Sequence, residues 1–469
     1  MRATLDQILG ALTGARAVGL PPGEPVAFDG VSTDSRTVAP GALFVALRGE
    51  HFDAHDFLPQ VAQKAGAVVV ERLPEGWDAA GAIPAIVVPD TLVALGQIAR
   101  WWRSQFDIPV IGVTGSNGKT TVKEMIAAIL AAAHGDEDRL ATRGNLNNEI
   151  GVPLTLFRLA SHHSSAVVEL GMNHPGEIGR LAHIALPTIA LVNNAQREHQ
   201  EFMHTVEAVA RENGSALAAL PADGVAVFPA NDEFTPVWRA LAGSRRTLTF
   251  GLTKEADVSC SFRPADFGNE VFVTIRAGMS VQQLYIGLQA AGEHNVRNAL
   301  AAIACAHAAG VALEKIKEGL DRFAPVSGRL QKKRAANGAT VIDDTYNANP
   351  DSVRAAIDVL AGAPEPRVLV LGDMGEVGTQ GREFHEEIAA YAAQHGIGQV
   401  LVTGELARHM VTSGATSPRH FEQFDALLAA VDAAVTPDTT VLIKGSRFMK
   451  MERVVQHLIG SQQANKEPH

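Results

Sequence analysis

The chain alternates short apolar runs with longer stretches in which apolar residues recur every three or four positions. The short runs predict buried strands, and the stretches with the longer period predict helices. Strands that alternate with helices in this way are typical of an α/β protein with mostly parallel sheets. The pattern separates into three regions, and we therefore predict an α/β fold with three domains.

The first region, residues 1–107, predicts a small N-terminal α/β domain. Thr4 and Gln7 have the spacing of a capping box, which predicts a first helix. Strand-like runs alternate with loops and short helical segments at residues 42–47, 67–71 and 85–89. The pair Ile108-Pro109 ends the region, because a residue that precedes proline avoids the helical conformation.

The central region, residues 108–325, predicts a mostly parallel sheet with helices on both faces. It opens with a strand at 109–114, a glycine-punctuated turn and a helix at 120–133. Further strands are expected at 165–170, 188–193, 224–229 and 246–250, and closing helices at 294–309 and 313–323.

The C-terminal region, residues 326–469, predicts a Rossmann-like unit because strands and helices again alternate. Strands are expected at residues 339–343, 367–371, 399–403 and 440–443. Helices are expected between them at residues 352–360, 383–394 and 426–435.

Composition supports packed domains and restricts the partners. The 469 residues are too many for one ordinary core, and 46% are hydrophobic while 19% are charged. The net charge is −11, and Lys and Arg form no basic run, so the chain lacks the surface that nucleic acid requires. A bound phosphate must then be held by backbone N–H groups, one or two cations and Mg²⁺.

The same composition favours a cytoplasmic protein. Cys260 and Cys305 have neither disulfide-framework nor metal-site spacing, which fits a reducing compartment. The N-terminus lacks the basic and apolar segments of a signal peptide. The longest apolar stretch, residues 299–313, is shorter than the roughly 20 residues that cross a bilayer, so we expect a buried helix and no membrane insertion.

A phosphate-binding loop is predicted between the first strand and helix of the central region. Glycines let the backbone curl around phosphate oxygens, Lys119 can reach the outer phosphates, and Thr120 can hold Mg²⁺. Val113 stands where a P-loop has its first glycine, and an ordinary turn with an exposed lysine is the alternative. The proposed nucleotide-binding residues are Gly115, Ser116, Asn117, Gly118, Lys119, Thr120 and Thr121.

Three further positions carry candidate chemistry, since the loop alone fits a kinase, a nucleotide switch or a ligase. Asn147 and Asn148 lie in an amide-rich loop and could bind phosphate or sugar, or cap turns. Glu169 ends an apolar strand, which suits a Mg²⁺ ligand, although a solvated glutamate is the alternative. His199 also follows a strand and is either a metal ligand or a surface histidine.

Eight ordered motifs together resemble the Mur ligases over nearly the whole chain. Besides the phosphate loop they include Gly-Asn-Leu-Asn-Asn-Glu-Ile-Gly-Val-Pro, Glu-Leu-Gly-Met-Asn, Asn-Asn-x₄-His, Gly-Glu-His-Asn-x₂-Asn-Ala, Ser-Gly-Arg, Asp-Asp-Thr-Tyr-Asn-Ala-Asn-Pro and Lys-Gly-Ser-Arg. The Asn-rich loop and the Tyr-Asn-Ala-Asn-Pro run are similar to those of the members that add D-alanyl-D-alanine to a UDP-N-acetylmuramoyl tripeptide.

The resemblance implies an ADP-forming reaction in peptidoglycan synthesis. The tripeptide carboxylate attacks the γ-phosphate of ATP, and the dipeptide amine then attacks the resulting acyl phosphate. Such chemistry needs charge neutralisation and in-line positioning. By resemblance the catalytic residues are Lys119, Glu169, His199 and Arg329, and the Mg²⁺ ligands are Thr120, Glu169 and His199.

The resemblance also implies the remaining contacts. Asn295 and Asp344 join the nucleotide-binding residues. The implied substrate-binding residues are Ser35, Arg36, Asn147, Asn148, Tyr346, Asn347, Asn349, Lys444 and Arg447. A surface turn at Ser35, an interdomain ion pair at Arg329 and a solvated basic loop at Lys444 remain the alternatives.

One position departs from the family. Members carry a lysine modified as a carbamate, which bridges a second Mg²⁺, where this chain has Asn213. Asparagine cannot form a carbamate, so either a neutral amide with water bridges or the second metal is held differently.

Two rival functions remain. The departure at Asn213 is the only support for a non-catalytic nucleotide-binding regulator, while another amide ligase is the nearer rival. We expect a monomer whose domains close by hinges near residues 108 and 326.

Overall fold

The computed structural model describes residues 1–21, 23–77, 83–198, 200–278, 280–411 and 418–460. Strands and helices alternate in all three regions, which confirms the α/β fold class. No helix within these ranges has the length and apolar character needed to cross a bilayer.

The first region contains a small mixed sheet. Its described strands pair in the order β2-β7-β6-β5-β4, parallel except for β2 with β7, and β1 pairs with β3. The predicted capping box at Thr4 and Gln7 is present at the start of α1. The elements are β1 Arg2–Thr4, α1 Leu5–Leu9, β2 Arg16–Val18, β3 Ala27–Asp29, β4 Val31–Ser32, β5 Leu43–Val45, α2 Leu58–Val61, β6 Ala67–Val70, β7 Ala85–Val87 and α3 Thr91–Arg103.

Helix α3 ties the first region to the central one. Trp102 Nε1 donates to Leu159 O at 3.2 Å, and the buried Arg103 donates to Ile108 O and Leu186 O at 3.3 Å. The predicted boundary near residue 108 lies in the loop that follows this helix, and it stays a prediction.

The central region is built on a large sheet whose described strands pair in the order β16-β15-β14-β13-β12-β11-β8-β10-β9. Two apolar clusters cover its two faces. The elements are β8 Val110–Thr114, α4 Lys119–His134, β9 Arg139–Ala141, α5 Gly151–Leu156, β10 Ser165–Glu169, α6 Glu177–Ala185, β11 Ile189–Val192, α7 Gln200–Met203, α8 Val206–Ala218, β12 Val225–Pro229, α9 Thr235–Ala242, β13 Arg246–Gly251, β14 Val258–Ala265, β15 Gly268–Ala277, β16 Ser280–Leu288, α10 Glu293–Ala308 and α11 Leu313–Asp321.

The order of these strands positions the candidate site. Strand β8 lies between β10 and β11 and is parallel to both, so the chain leaves these three strands at the same edge of the sheet. The phosphate loop, Glu169 and the segment 193–198 therefore meet there, as ligand sites in open parallel sheets do. The antiparallel strands β14, β15 and β16 were not predicted from the sequence and extend the sheet on its far side.

The C-terminal region contains a third sheet, with described strands in the order β17-β18-β22-β19-β20-β21. All its pairings are parallel except β17 with β18. The predicted strands and helices are present within three residues of their expected ends, whereas β17, β21 and α15 were not predicted. The elements are β17 Gln331–Arg334, β18 Thr340–Asp344, α12 Pro350–Ala361, β19 Arg367–Leu371, α13 Gly381–Gln394, β20 Gln399–Thr403, β21 Arg419–Phe421, α14 Phe424–Ala434, β22 Thr440–Lys444 and α15 Glu452–Ile459.

Candidate active site

The phosphate loop connects β8 to α4 through two glycines with positive φ. Gly115 has φ 134° and Gly118 has φ 79°, conformations that favour glycine. A Cβ atom on Gly118 would lie 2.6 Å from Asn298 Oδ1, so the loop also has no room for a side chain there. Glycine is therefore favoured at this position by its backbone conformation, and a side chain there would also displace Asn298.

The loop uses its first N–H groups internally, which differs from the expectation that they face phosphate. Gly115 N–H donates to Asn213 Oδ1 at 3.1 Å, and Asn117 N–H donates to Asn194 Oδ1 at 2.9 Å. Ser116 N–H donates to Asn194 O at 3.2 Å. The first N–H groups of α4 have no side-chain cap and no partner within the helix, as at helix N-termini that bind anions, and phosphate binding there stays a prediction.

Lys119 folds back over the loop. Its Nζ donates to Gly115 O at 2.5 Å and Ser116 O at 3.0 Å, and it pairs with Glu198 Oε1 at 3.1 Å. Lys119 therefore lies against the phosphate loop, at the N-terminal end of α4. Glu198 was not among the predicted site residues, although it also follows a strand of the central sheet.

Glu169 ends β10 as a buried carboxylate with one unpaired oxygen. Its Oε1 accepts a hydrogen bond from Asn147 Nδ2 at 2.8 Å, while its buried Oε2 has no partner among the described residues. A desolvated carboxylate oxygen is costly unless something pairs with it.

The next residue of the amide-rich loop, Asn148, has a different environment from Asn147. Its side-chain oxygen accepts hydrogen bonds from the N–H groups of Ile150 and Gly151 and so caps the turn into α5, which is the structural alternative to substrate binding.

The available groups fit a bound Mg²⁺ at Glu169, because its free oxygen is a ligand of the type that Mg²⁺ prefers. Within the described ranges no cluster of three or more His, Cys, Asp or Glu side chains could hold a metal by itself. His199, the third predicted ligand, lies outside the described residues. Mg²⁺ binding by Thr120, Glu169 and His199 stays a prediction.

Arg329 reaches the phosphate loop from the C-terminal region. Its Nη2 donates to Thr120 Oγ1 at 2.8 Å, and its guanidinium lies 4.1 Å from the centre of the Tyr346 ring. This hydrogen bond between the two regions has the Thr120 hydroxyl as its acceptor. It is therefore not the interdomain ion pair that was the structural alternative for Arg329. Arg329 therefore brings a positive charge to the first turn of α4.

Asparagine side chains connect the phosphate loop with the start of α12, and the segment that follows β11 with α10. Asn117 and Asn349 exchange side-chain hydrogen bonds across the two regions, at 2.9 and 3.3 Å. Asn193 Nδ2 donates to Asn298 Oδ1 at 2.9 Å, and Asn298 Nδ2 donates to Asn295 Oδ1 at 3.1 Å. Asn193, Asn194, Asn213 and Asn298 were not predicted as site residues; Asn298 could have been found because it lies one turn from Asn295 on α10.

Two predicted residues on neighbouring strands of the C-terminal sheet pair with each other. Asp344 and Lys444 lie opposite each other on β18 and β22, with Asp344 Oδ2 2.6 Å from Lys444 Nζ. Burial raises the pKa of Asp344, and Lys444 opposes that rise. Lys444 also donates to the backbone oxygen of Asn347 at 2.8 Å. Arg447 is largely exposed, 5.8 Å from the Tyr346 ring.

Ser35 and Arg36 follow β4 in the first region. Arg36 donates to the Asp34 carboxylate at 2.9 and 2.7 Å, and this hydrogen bonding lowers the pKa of Asp34 to about 2. The hydrogen bonds of the described residues do not connect this pair to the phosphate loop. Its role in binding substrate stays a prediction.

Family models match all three regions of the chain. The Mur ligase family catalytic domain matches residues 27–103, the Mur ligase middle domain matches residues 113–306, and the Mur ligase glutamate ligase domain matches residues 328–447. The chain belongs to the Mur ligase family. The phosphate loop of this Mur ligase lies in the segment matched by the middle domain, and Arg329 lies in the segment matched by the glutamate ligase domain.

Individual relatives are similar over almost their full length. This Mur ligase is 39% identical to the UDP-N-acetylmuramoyl-tripeptide–D-alanyl-D-alanine ligase of Escherichia coli K12, covering 97% of the chain and 98% of the relative. A crystal structure of MurF from Acinetobacter baumannii superposes with a TM-score of 0.89 at 34% identity, covering 98% and 99%. MurF from Thermotoga maritima in complex with ADP gives 0.81 at 25% identity, covering 93% and 98%.

Proposed function

We propose that this chain is an ATP-dependent ligase that joins D-alanyl-D-alanine to a UDP-N-acetylmuramoyl tripeptide, forming ADP and phosphate, in peptidoglycan precursor synthesis. The full-length similarity to ligases named for this reaction supports the substrates. The observation that carries the proposal is the contact of Arg329, from the C-terminal region, with Thr120 at the phosphate loop. Such a contact suits a ligase, because it would bring ATP held by one region and the amine held by the other into reacting distance.

The phosphate loop and two cations would serve the phosphoryl transfer. The N–H groups at the start of α4 would bind phosphate oxygens, and Lys119 would leave Glu198 to pair with the outer phosphates. Arg329 would add a fixed positive charge where the tripeptide carboxylate meets the γ-phosphate, two anions that repel each other. Neutralisation of this repulsion is the main contribution expected from these side chains.

Mg²⁺ would add charge neutralisation at the same place when bound. Glu169 has the free oxygen to hold it, and Thr120 and His199 are the other proposed ligands. Asn147 fixes the orientation of Glu169 by bonding its other oxygen. Asn213 is not proposed as a metal ligand, because its side-chain oxygen already accepts the Gly115 N–H.

The remaining assignments concern the other substrates. Ser35 and Arg36 would bind the uridine nucleotide, and Asn147 and Asn148 the tripeptide end. Tyr346, Asn347, Asn349, Lys444 and Arg447 would bind the dipeptide, with Asn295 and Asp344 on the nucleotide. All but Ser35 and Arg36 lie on the central and C-terminal sheets or the segments around them. We further propose three domains with boundaries at 107/108 and 325/326, and a cytoplasmic monomer.

The test is phosphate release from ATP and Mg²⁺ with a UDP-muramoyl tripeptide and one of three acceptors: D-alanyl-D-alanine, D-alanine or L-glutamate. We expect release only with the dipeptide, together with a pentapeptide of the correct mass. Lys119→Ala should abolish release, because it removes the phosphate-binding cation. Release with L-glutamate instead would assign another amide ligase, and ATP binding without release would favour a regulator.

A further inference from the structure

Arg197 makes a charged contact between the central and C-terminal regions that the proposed mechanism does not use. It follows β11, and its Nη2 lies 2.7 Å from Asp351 Oδ1 in the first turn of α12. Its Nη1 lies 2.7 Å from Glu387 Oε2 on α13, and its guanidinium lies 5.2 Å from the Phe384 ring. The backbone N–H of Arg197 also donates to Asp351 Oδ2 at 2.9 Å.

This contact differs from ordinary surface ion pairs. Arg197 and Asp351 are each only 24% exposed, and each of the two carboxylates accepts at least two hydrogen bonds from the guanidinium. Burial by itself lowers the pKa of Arg197, but the bonds to Glu387 and Asp351 raise it above its usual value. Exposed pairs contribute little, whereas a partly buried group with several bonds fixes its partners.

The neighbours of Arg197 in sequence hold the phosphate loop. Gln196 N–H donates to Ser116 Oγ at 2.9 Å, and Gln196 Oε1 accepts from Asn117 Nδ2 at 2.5 Å. On the other side, Glu198 pairs with Lys119. A displacement of Arg197 would therefore move both contacts, because the three residues are consecutive.

Helix α12 completes the connection. Its N-cap residue Asn349 bonds to Asn117 of the loop, and Asp351, two residues further, bonds to Arg197. One end of α12 thus contacts the phosphate loop directly and through the segment 196–198. Docking of α12 and the position of Lys119 are coupled by this geometry.

We propose that Arg197 is a positioning residue that couples docking of the C-terminal region to the arrangement of the phosphate loop. The proposal rests on the proposed ligase function, since it assigns Arg197 a part in that reaction. Arg197 touches no reacting group: it acts through Asp351 and Glu387 on one side and through Gln196 and Glu198 on the other.

The first test is steady-state kinetics of Arg197→Ala, Asp351→Ala and the double variant. Each single variant should lower kcat/KM for D-alanyl-D-alanine at least tenfold and raise the Kd for ATP by a smaller factor, because the N–H groups at the start of α4 are unchanged while Asn117 and Lys119 lose part of their support. The double variant should lose less than the product of the two single losses, since both substitutions break the side-chain pair of Arg197 with Asp351. Arg197→Lys keeps the positive charge but loses the paired N–H donors of the guanidinium, so it should recover part of the activity.

Arg211→Ala is the matched control. Arg211 is an exposed arginine of the same region whose described ion pair is with Glu207, one turn away on α8. Its kinetics should equal those of the unmodified enzyme within twofold. Unchanged kcat/KM in Arg197→Ala, or multiplied losses in the double variant, would overturn the proposal.

Small-angle scattering tests the contact of Arg197 with the C-terminal region independently of the ligase reaction. With a non-hydrolysable ATP analogue, Mg²⁺ and a UDP-muramoyl tripeptide, over which the domains are expected to close, Arg197→Ala and Asp351→Ala should have a larger radius of gyration than the unmodified protein and Arg211→Ala. If the unmodified protein releases no phosphate with any acceptor, the ligase function fails, and the scattering still decides the contact: equal radii would overturn it.

Discussion

At the residue scale, Asn213 stands where the resemblance to the Mur ligases implies a carbamylated lysine. It lies in the middle of α8, is buried, and binds the loop twice: its side chain accepts from Gly115 N–H, and its backbone oxygen accepts from Thr114 Oγ1 at 3.1 Å. Gly115 O in turn accepts from Lys119. The amide therefore supports the loop glycine that positions the lysine, a role that needs an acceptor and no charge.

Replacement of Asn213 by alanine should weaken ATP binding. Without this acceptor the loop is free to leave the arrangement seen here, and restoring that arrangement on binding should cost about the 1 kcal/mol of one hydrogen bond, an approximately fivefold higher Kd. Titration calorimetry with ATP and Mg²⁺ measures this. Ser215→Ala on the same helix is the control, because Ser215 bonds only to Glu212 O nearby among the described residues; an unchanged Kd for Asn213→Ala would contradict this role.

At the element scale, close packing of helices against each other sets the frame behind the phosphate loop. Gly319 of α11 faces α4, the helix that begins at the loop, and a Cβ there would lie 2.4 Å from Ile129 Cα. The neighbouring atom belongs to the backbone and cannot rotate away. The two helices can approach this closely only because position 319 has no side chain.

Gly319→Ala should therefore destabilise the protein by about 3 kcal/mol, since the two helices must separate. Gly398→Ala is the matched control, because its Cβ would meet no atom within 4 Å, and its effect should stay within about 0.5 kcal/mol. Urea unfolding followed by circular dichroism gives both values. Equal midpoints for the two variants would show that α4 and α11 tolerate the added methyl group.

At the scale of the whole molecule, the contact between the central and C-terminal regions disfavours the protonated form of His294. Burial, and then the nearby Lys444, lower the pKa of His294 to about 4. A Cβ atom on Gly292, two residues earlier, would lie 2.6 Å from the His294 ring and 2.8 Å from Val359 of α12, which places this histidine at the contact between the regions. A proton on His294 would therefore oppose their association.

Stability should fall as the pH is lowered from about 7 to 5, because the unfolded state binds a proton near pH 6.5 while folded His294 stays neutral until about pH 4. The loss from this residue is about 2 kcal/mol over that interval. His294→Gln, which cannot titrate, should lose less stability by about this amount in urea unfolding at both pH values. Parallel pH dependence in the two proteins would exclude the effect.

The sequence by itself determined the α/β class, the parallel core strands, the strand-to-helix turn that carries Lys119 and Thr120, and the position of Glu169 at a strand end. These follow from local periodicity and from residues placed directly at strand ends, which need no knowledge of distant partners. The antiparallel strands β14–β16 were not predicted, although Val258, Cys260 and Phe262 alternate with polar residues, because Pro264 and Gly268 interrupt the alternation and both residues are unfavourable within strands.

Only the tertiary structure decided which side chains meet. Asn213 and Gly115 are 98 residues apart, Arg197 and Asp351 are 154 apart, and Arg329 and Thr120 are 209 apart. Such contacts depend on the order of strands in the sheets and on how the C-terminal region packs against the central one. A local pattern carries no information on either, since the same elements can be connected and docked in several ways.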